Sequence, residues 1–342
     1  MKKPIAKANK LFQEVAQIIN ASRQSVVRTT NRMMVTTYYL VGMRIIEHEQ
    51  SGKTRAAYAK NILPSLSRKL QKQFGKGFSV DNLENMRKLY LTYSISENSS
   101  RKLKNAENTI PAFTLGWSHY VVLCRIKVEA ERRFYEIEAT GNNWNLEELQ
   151  RQINAALYER LTLSKNKKKV IQLSKKGQVI RHPKDVIKNP FILEFLGLEE
   201  REFYSETDLE TAIINQIEKF MLELGKGFFF GGRQVRFTFD EKHFFVDLVF
   251  YNRLLKCFVV VDLKIGELGH EDLGQMQMYV NHYDRNVKAK TENPTIGIII
   301  CKSKNDAVVE ITLPKNQKQI YASQYKLYLP SKAELKRLIE NK

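Results

Sequence analysis

The stretch HFFVDLVFYNRLLKCFVVVDLKIG, residues 243–266, holds two runs of aromatic and β-branched residues split by one polar break, Asn252 to Lys256. Such runs read as strands, and so short a break joins them as an antiparallel hairpin. Side chains alternate across a strand. Phe245, Asp247 and Val249 therefore share one face, while Val246, Leu248 and Phe250 take the other. On the next strand Phe258, Val260, Asp262 and Lys264 share a face. A turn centred near residues 254 and 255 sets Asp247 opposite Asp262, with β-carbons roughly 5 Å apart. Two carboxylates that close in apolar strands repel each other and lose hydration, which is costly without a cation. An oxygen-rich site of this kind suits Mg²⁺ or Mn²⁺. Lys264 stands where an ammonium can reach a water or a phosphate. The same spacing also fits a plain ion pair between Lys264 and either aspartate at a strand end.

Upstream, residues 209–224 read as a helix with Leu209, Ile213, Ile217, Phe220, Met221 and Leu224 on one stripe. At about 100° per residue Glu210 falls inside that stripe, and Glu218 and Glu223 fall outside it. A carboxylate on the buried face needs a partner, either the metal site or a route to the surface. Downstream, a helix over 271–284 carries Gln275 and Tyr279 at i, i+4, which meet on one side. Further strands are expected at 228–239, 295–301 and 324–329, with a last helix from 331. Helix, three strands, helix and strand make an α/β domain whose first strands can form an antiparallel meander.

The N-terminal half reads differently. Helical periodicity covers 5–50 and 58–74, resumes near Leu83, and extends over 117–161 with an interruption at Gly141-Asn142-Asn143. Gly75-Lys76-Gly77 separates two helices in the manner of a helix-turn-helix or of an ordinary packed pair. Residues 95–110 are polar and turn-rich. The expected organisation is a helical domain over 1–162, a charged linker over 163–190 and an α/β domain with a mixed central sheet over 191–342. Charge follows the same division. Residues 1–105 hold 20 Lys or Arg against 6 Asp or Glu, whereas residues 201–342 hold 21 against 19. A basic third beside a nearly neutral remainder suggests a polyanion-binding module. Its candidate phosphate contacts are Arg23, Arg28, Arg32, Arg44, Arg55, Lys69, Lys72, Lys76, Arg87 and Lys88.

Several classes are excluded. Cys124, Cys257 and Cys301 form neither a disulfide framework nor a zinc knuckle. The six histidines show no HExxH spacing. Gly52-Lys53-Thr54 lacks the glycine five residues earlier that a phosphate-binding loop requires, Glu47 standing there. The start is amphipathic, not a secretory signal, and no apolar run approaches the ~20 residues that span a bilayer. A cytoplasmic protein with no membrane partner is expected.

Asp247, then Asp262-Leu263-Lys264, with Glu210 before and Gln275-x3-Tyr279 after, resembles the PD-(D/E)xK nuclease superfamily. More narrowly, LELGKGFFFGGRQ (222–234) and GQMQMYVNHYD (274–284) resemble the YhcG-type proteins of bacteria. So do GKGFSVDNLENMRKLY (75–90), LGWSHY (115–120) and WNLEELQRQINAALYERL (144–161), so the likeness runs from about residue 10 to 335. The resemblance implies a restriction-endonuclease-like core behind a helical N-terminal domain. It implies a Mg²⁺- or Mn²⁺-dependent phosphodiesterase acting on DNA; RNA as the true substrate is a separate reading, distinguished by paired DNA and RNA digests. By carry-over Asp247, Asp262, the Leu263 carbonyl and Glu210 would hold the metal, Lys264 would activate or position water, and Glu210 and Gln275 would support them. Val246 stands where the superfamily name has proline, and Asp262 where relatives more often carry glutamate. The alternative is a non-cleaving nucleic-acid-binding or partner-recruiting protein on a retired nuclease fold. Cutting two strands needs two sites, which is compatible with a homodimer.

Overall fold

The computed structural model describes residues 3–51, 57–100, 110–163, 167–198, 204–331 and residue 334. The chain divides into two compact units, Met1–Gln150 and Arg151–Lys342. In the first, α1 (Lys3–Ser51) is one unbroken helix of 49 residues, followed by α2 (Ala57–Phe74), α3 (Val80–Ser100), α4 (Trp117–Leu123) and α5 (Glu129–Asn142). The lower half of α1 packs on α3, and the crossing is closest at Gly42, where a β-carbon would sit 2.1 Å from the Met86 carbonyl oxygen. Only glycine lets two backbones approach that far. Ile45, Leu63, Leu83 and Met86 fill the core beside it. The expected interruption near residue 142 falls at Asn143, which caps α5 in the left-handed conformation at φ 53°. Next, α6 (Leu146–Asn154) spans the division.

The second unit runs α7 (Leu157–Leu163), α8 (Lys167–Lys176), β1 (Phe191–Ile192), α9 (Glu206–Asn215), α10 (Ile217–Leu224), β2 (Phe228–Phe239), β3 (Lys242–Asn252) and β4 (Cys257–Glu267). It continues with α11 (His270–His282), β5 (Ile296–Ser303), α12 (Asp306–Thr312) and β6 (Ile320–Lys326). These strands form one six-stranded sheet in the order β1-β6-β5-β4-β3-β2. β2, β3 and β4 are the antiparallel meander, and β4, β5, β6 and β1 pair in parallel, so the sheet is mixed. Helices α9 and α10 cover one face through Leu209, Ile213, Phe220 and Leu224, against Leu248, Val259 and Ile298. Helix α11 covers the other through Leu273, Met276 and Val280, against Val260 and Ile299. The strands of the meander match the expected runs because their composition is unbroken. β1 is too short to carry a period, and the last expected helix lies outside the described residues apart from residue 334.

β6 starts four residues before the strand expected at 324–329, and three further features depart from expectation. Val246 packs with Val249 on the α11 side, whereas Leu248 and Phe250 pack on the opposite side. Strict alternation therefore fails across Asp247, where the ladder to β4 ends: its last pair is Leu248 with Val261. Second, the helix expected over 209–224 breaks at Gln216 (φ −122°, ψ 33°). The break offsets the helical phase, so Glu223, placed outside the apolar stripe, is fully buried. Third, the segment expected as a linker over 163–190 contains α8 and belongs to the second unit.

Glu223 explains the third departure. Its Oε1 accepts from Arg160 Nη1 at 2.5 Å and from the Ile192 amide at 3.0 Å. Arg151 Nη2 lies 3.6 Å from Oε2, and the Lys188 ammonium donates to the Glu223 carbonyl. Arg160 also donates to the carbonyls of Ala155 and Pro190. Burial pushes the Glu223 carboxyl up, but Arg160 and Lys188 outweigh it and hold the group down at about 2. One carboxylate thus ties residues 151–192 to α10. Because its folded pKa is depressed, the stabilisation is present above the ordinary glutamate range and is lost as pH falls towards 2. Removing one partner of a buried pair leaves an uncompensated charge. Arg160→Ala is therefore expected to lower the free energy of unfolding by ~3–5 kcal/mol, read by urea denaturation of the full chain. A loss below ~1 kcal/mol would place the pair among surface-grade interactions instead.

Candidate active site

The hairpin turn sets the site's register. Asn252 Oδ1 accepts from the amides of Leu254 and Leu255, closing the turn, and Asn252 pairs with Cys257. The same register carried one step past Leu248 and Val261 brings Asp247 abreast of Asp262. At that step the Leu263 amide donates to Asp247 Oδ2 at 2.8 Å. Asp262 is 2 % exposed. Lys264 Nζ stands 3.1 Å from Asp262 Oδ2, and 3.8 Å from both Glu206 Oε2 and Asp272 Oδ1. Glu206 opens α9 and Asp272 opens α11, so helices on both faces of the sheet present a carboxylate to this lysine. The N-termini are pinned by side chains: Ser205 and Asp208 exchange hydrogen bonds at α9, and the Gly269 amide donates to Asp272 at α11.

Glu210, on the buried face of α9, is 4 % exposed. Its Oε2 accepts from Gln234 Nε2 at 2.5 Å, and the same nitrogen reaches Asp247 Oδ1 at 3.0 Å. Arg233 Nε lies 3.1 Å from Glu210 Oε1. Gln234 thus bridges the helix carboxylate to the strand carboxylate. It does so from a left-handed backbone, φ 45°, a conformation costly for a non-glycine residue and often kept at functional sites. Sequence reading missed Gln234, Arg233, Glu206 and Asp272. The left-handed turn at Gln234 leaves no compositional trace, whereas an acid in the first turn of a helix is a signal that could have drawn attention to Glu206 and Asp272.

Gln275 and Tyr279 meet as their spacing required. The Gln275 amide donates to the Tyr279 hydroxyl, which donates to the Phe245 carbonyl at 2.8 Å. Gln275 is therefore turned towards β3, and no contact with Lys264 is formed. Burial, with Asp262 nearby, pushes the Tyr279 hydroxyl up to about 12, so it stays a donor. His243 bonds Arg236 and Thr238, and His282 stacks on Phe237 at 4.0 Å between ring centroids.

The electrostatics are unbalanced. Burial and the Asp247 charge push the Asp262 carboxyl up to about 7, against the pull of Lys264. Burial alone lowers Lys264, but Asp262, Glu206 and Asp272 outweigh it and hold the ammonium well above the usual lysine range. Lys264 is a fixed cation here, suited to positioning and charge stabilisation. Asp262 Oδ2 is buried and has no hydrogen bond of proper geometry among the described residues. No group of three or more His, Cys, Asp or Glu side chains among the described residues forms a ready metal cage. The donors still fit a hard divalent cation: a buried carboxylate oxygen answered by the Lys264 ammonium, a second carboxylate abreast of it, and Glu210 drawn towards that second one by a shared amide.

In the N-terminal unit Arg23, Arg32, Arg44, Lys69, Lys72, Lys76 and Lys88 are exposed. Arg32 donates to the Phe113 carbonyl and Arg44 pairs with Glu47. Arg87 is half-buried and is held by Glu49 and Glu84, which leaves it poorly placed for a phosphate. Arg55 and the Arg28 side chain lie outside the described residues. No helix among the described residues is long and apolar enough to cross a membrane.

Residues 184–340 match the model of the YhcG PDDEXK nuclease domain, and residues 14–160 match the DUF1016 N-terminal domain. The protein "Putative nuclease YhcG" of Escherichia coli (strain K12) is 36% identical over 341 residues, covering 94% of this chain and 90% of that one. Among solved structures, a repair endonuclease from Pyrococcus abyssi aligns with TM-score 0.25 and 20% identity, over 38% of this chain and 50% of that one. An EndoMS–dsDNA complex aligns with TM-score 0.27 and 15% identity, over 40% of this chain and 51% of that one. The chain thus spans about half the length of these two structures. With both halves matched and a relative similar over nearly its full length, the chain belongs to the YhcG family of PDDEXK nucleases.

Proposed function

We propose that the protein is a metal-dependent nuclease that hydrolyses phosphodiester bonds in DNA. The observation that carries the reading is the convergence, at the end of the β3–β4 ladder, of Asp247, Asp262 and Lys264, with Glu210 tied to Asp247 through Gln234. Asp247, Asp262, the Leu263 carbonyl and Glu210 would hold Mg²⁺ or Mn²⁺, which supplies Lewis acidity and neutralises charge on the scissile phosphate. Lys264, kept protonated by three carboxylates, places a positive charge beside the developing negative charge. Gln234 positions two carboxylates whose mutual repulsion would otherwise spread them. Gln275 and Tyr279 brace β3 at the Phe245 carbonyl. The basic N-terminal unit supplies phosphate contacts, each steepening the salt dependence of duplex binding by ~0.9 log units per log unit of salt.

The direct test is cleavage of linear, supercoiled, branched and single-stranded DNA, beside matching RNA, with Mg²⁺, Mn²⁺ or EDTA. Wild type should yield metal-dependent products that Asp262→Ala lacks. DNA retarded but uncut under every condition would favour the binding-only reading. Lys264→Ala should reduce the cleavage rate by ~10²–10³-fold, the usual effect of removing one transition-state contact, while DNA affinity changes less than about twofold. Equal losses of both would remove Lys264 from its role.

The elevated Asp262 carboxyl gives a pH test. A raised folded pKa means that the metal-free protein loses stability as pH climbs through the range between ordinary aspartate and about 7. Asp262→Asn removes that burden, so without metal its melting temperature should exceed that of wild type at pH 8 by more than at pH 5. Metal must also displace the proton. The Mg²⁺ concentration giving half-maximal thermal stabilisation of wild type should therefore rise by up to about tenfold per pH unit below 7. A flat profile would show that Asp262 is not a ligand.

A further inference from the structure

Helix α1 has two halves of opposite character. From Val35 onward its apolar residues turn inward, with Val35, Tyr39, Ile45 and Ile46 buried in the first unit. From residue 12 to residue 34 every described side chain is exposed or half-exposed. Yet this outer half is not polar all round. Phe12, Ile19, Val26 and Met33 recur at intervals of seven and are 72, 46, 65 and 67 % exposed. Val15 and Ile18, at 44 and 66 % exposed, flank the row. A helix in water with only its own hydrogen bonds is marginally stable, and an exposed apolar row with four members at one spacing, the seam positions between them being Val15, Ser22 and Thr29, marks an interaction surface.

We infer that the outer half of α1 pairs with α1 of a second copy in a parallel, in-register coiled coil. A seven-residue apolar repeat is satisfied by a helix that carries the same repeat and supercoils with it, and a second copy supplies that match. Burying six such side chains on each of two helices removes roughly 1,000 Å² from water, the lower bound for a specific interface. The flanks permit the parallel arrangement. Residues that would face each other across the seam are Ile18 with Arg23 and Ser25 with Thr30, so no like charges meet. Arg23 lies beside the row and its long stem can lie along the seam while its charge reaches water. The dimer would carry two nuclease units. It rests on the helix alone and stands or falls independently of whether those units cleave DNA.

The test is the solution mass of the full chain by light scattering at about 10 µM, for wild type, for Ile19→Glu/Val26→Glu, and for Val26→Cys under mild oxidation. The native cysteines Cys124, Cys257 and Cys301 are buried and do not compete. Wild type is expected at twice the chain mass, the double variant at the chain mass, and Val26→Cys as a disulfide-linked dimer. The inner half of α1 and the rest of its unit keep their packing in the double variant, which near-ultraviolet circular dichroism verifies. A monomeric wild type would overturn the inference and leave the row to another part of this chain or to a different partner. A double variant that remains dimeric would overturn it as well. Absence of the cross-link in a dimeric Val26→Cys protein would overturn the parallel register.

Discussion

The Leu263 amide donates to a side chain, Asp247 Oδ2, at the point where a regular ladder would offer a strand carbonyl. Much of the site follows from that substitution. It ends the β3–β4 pairing at Leu248 and Val261, and it accompanies the change of face that sends Val246 to the α11 side. It also engages one oxygen of Asp247 and leaves the other for Gln234. Had the ladder continued, Asp247 would be one more side chain on a regular strand, with nothing to fix its direction.

The second constraint is charge. Asp262 lies on a central strand between apolar neighbours, and Lys264 relieves it only in part. The helix-opening carboxylates Glu206 and Asp272 then bias the lysine towards its charged form. Asp262 is thus held in a charged state that burial and Asp247 disfavour, whereas Lys264 is settled as a cation; a carboxyl perturbed in this way is frequent at functional sites. The buried ion-pair cluster at Glu223 does not share this imbalance. Around Glu223 the cations outweigh burial, and the carboxylate is settled.

Much of this was legible in the residues, and the reasons differ by element. The meander could be read because its strands are continuous runs and its turn is a single polar break, which also fixed the facing of Asp247 and Asp262. Glu210 could be read because α9 is regular up to Asn215. Glu223 could not, since the break at Gln216 resets the helical phase and no Gly or Pro announces it. Gln234 could not, because its role depends on a left-handed backbone at a residue type that rarely adopts one. The long α1 was read as helix from its periodicity. Periodicity reports that a face is apolar and leaves open what covers it.

The family's nuclease segment begins at residue 184, which invites dissection of the protein at that point. The knot around Glu223 argues against treating it as a clean seam. A fragment starting there would retain Lys188 and the carboxylate but discard Arg151 and Arg160, stranding a buried anion with one cation where it had three. Modular though the two matched segments look along the chain, the C-terminal segment borrows its electrostatic foundation from residues that the other segment claims. Recombination or truncation between them would therefore be filtered by the need to keep two arginines with one distant glutamate.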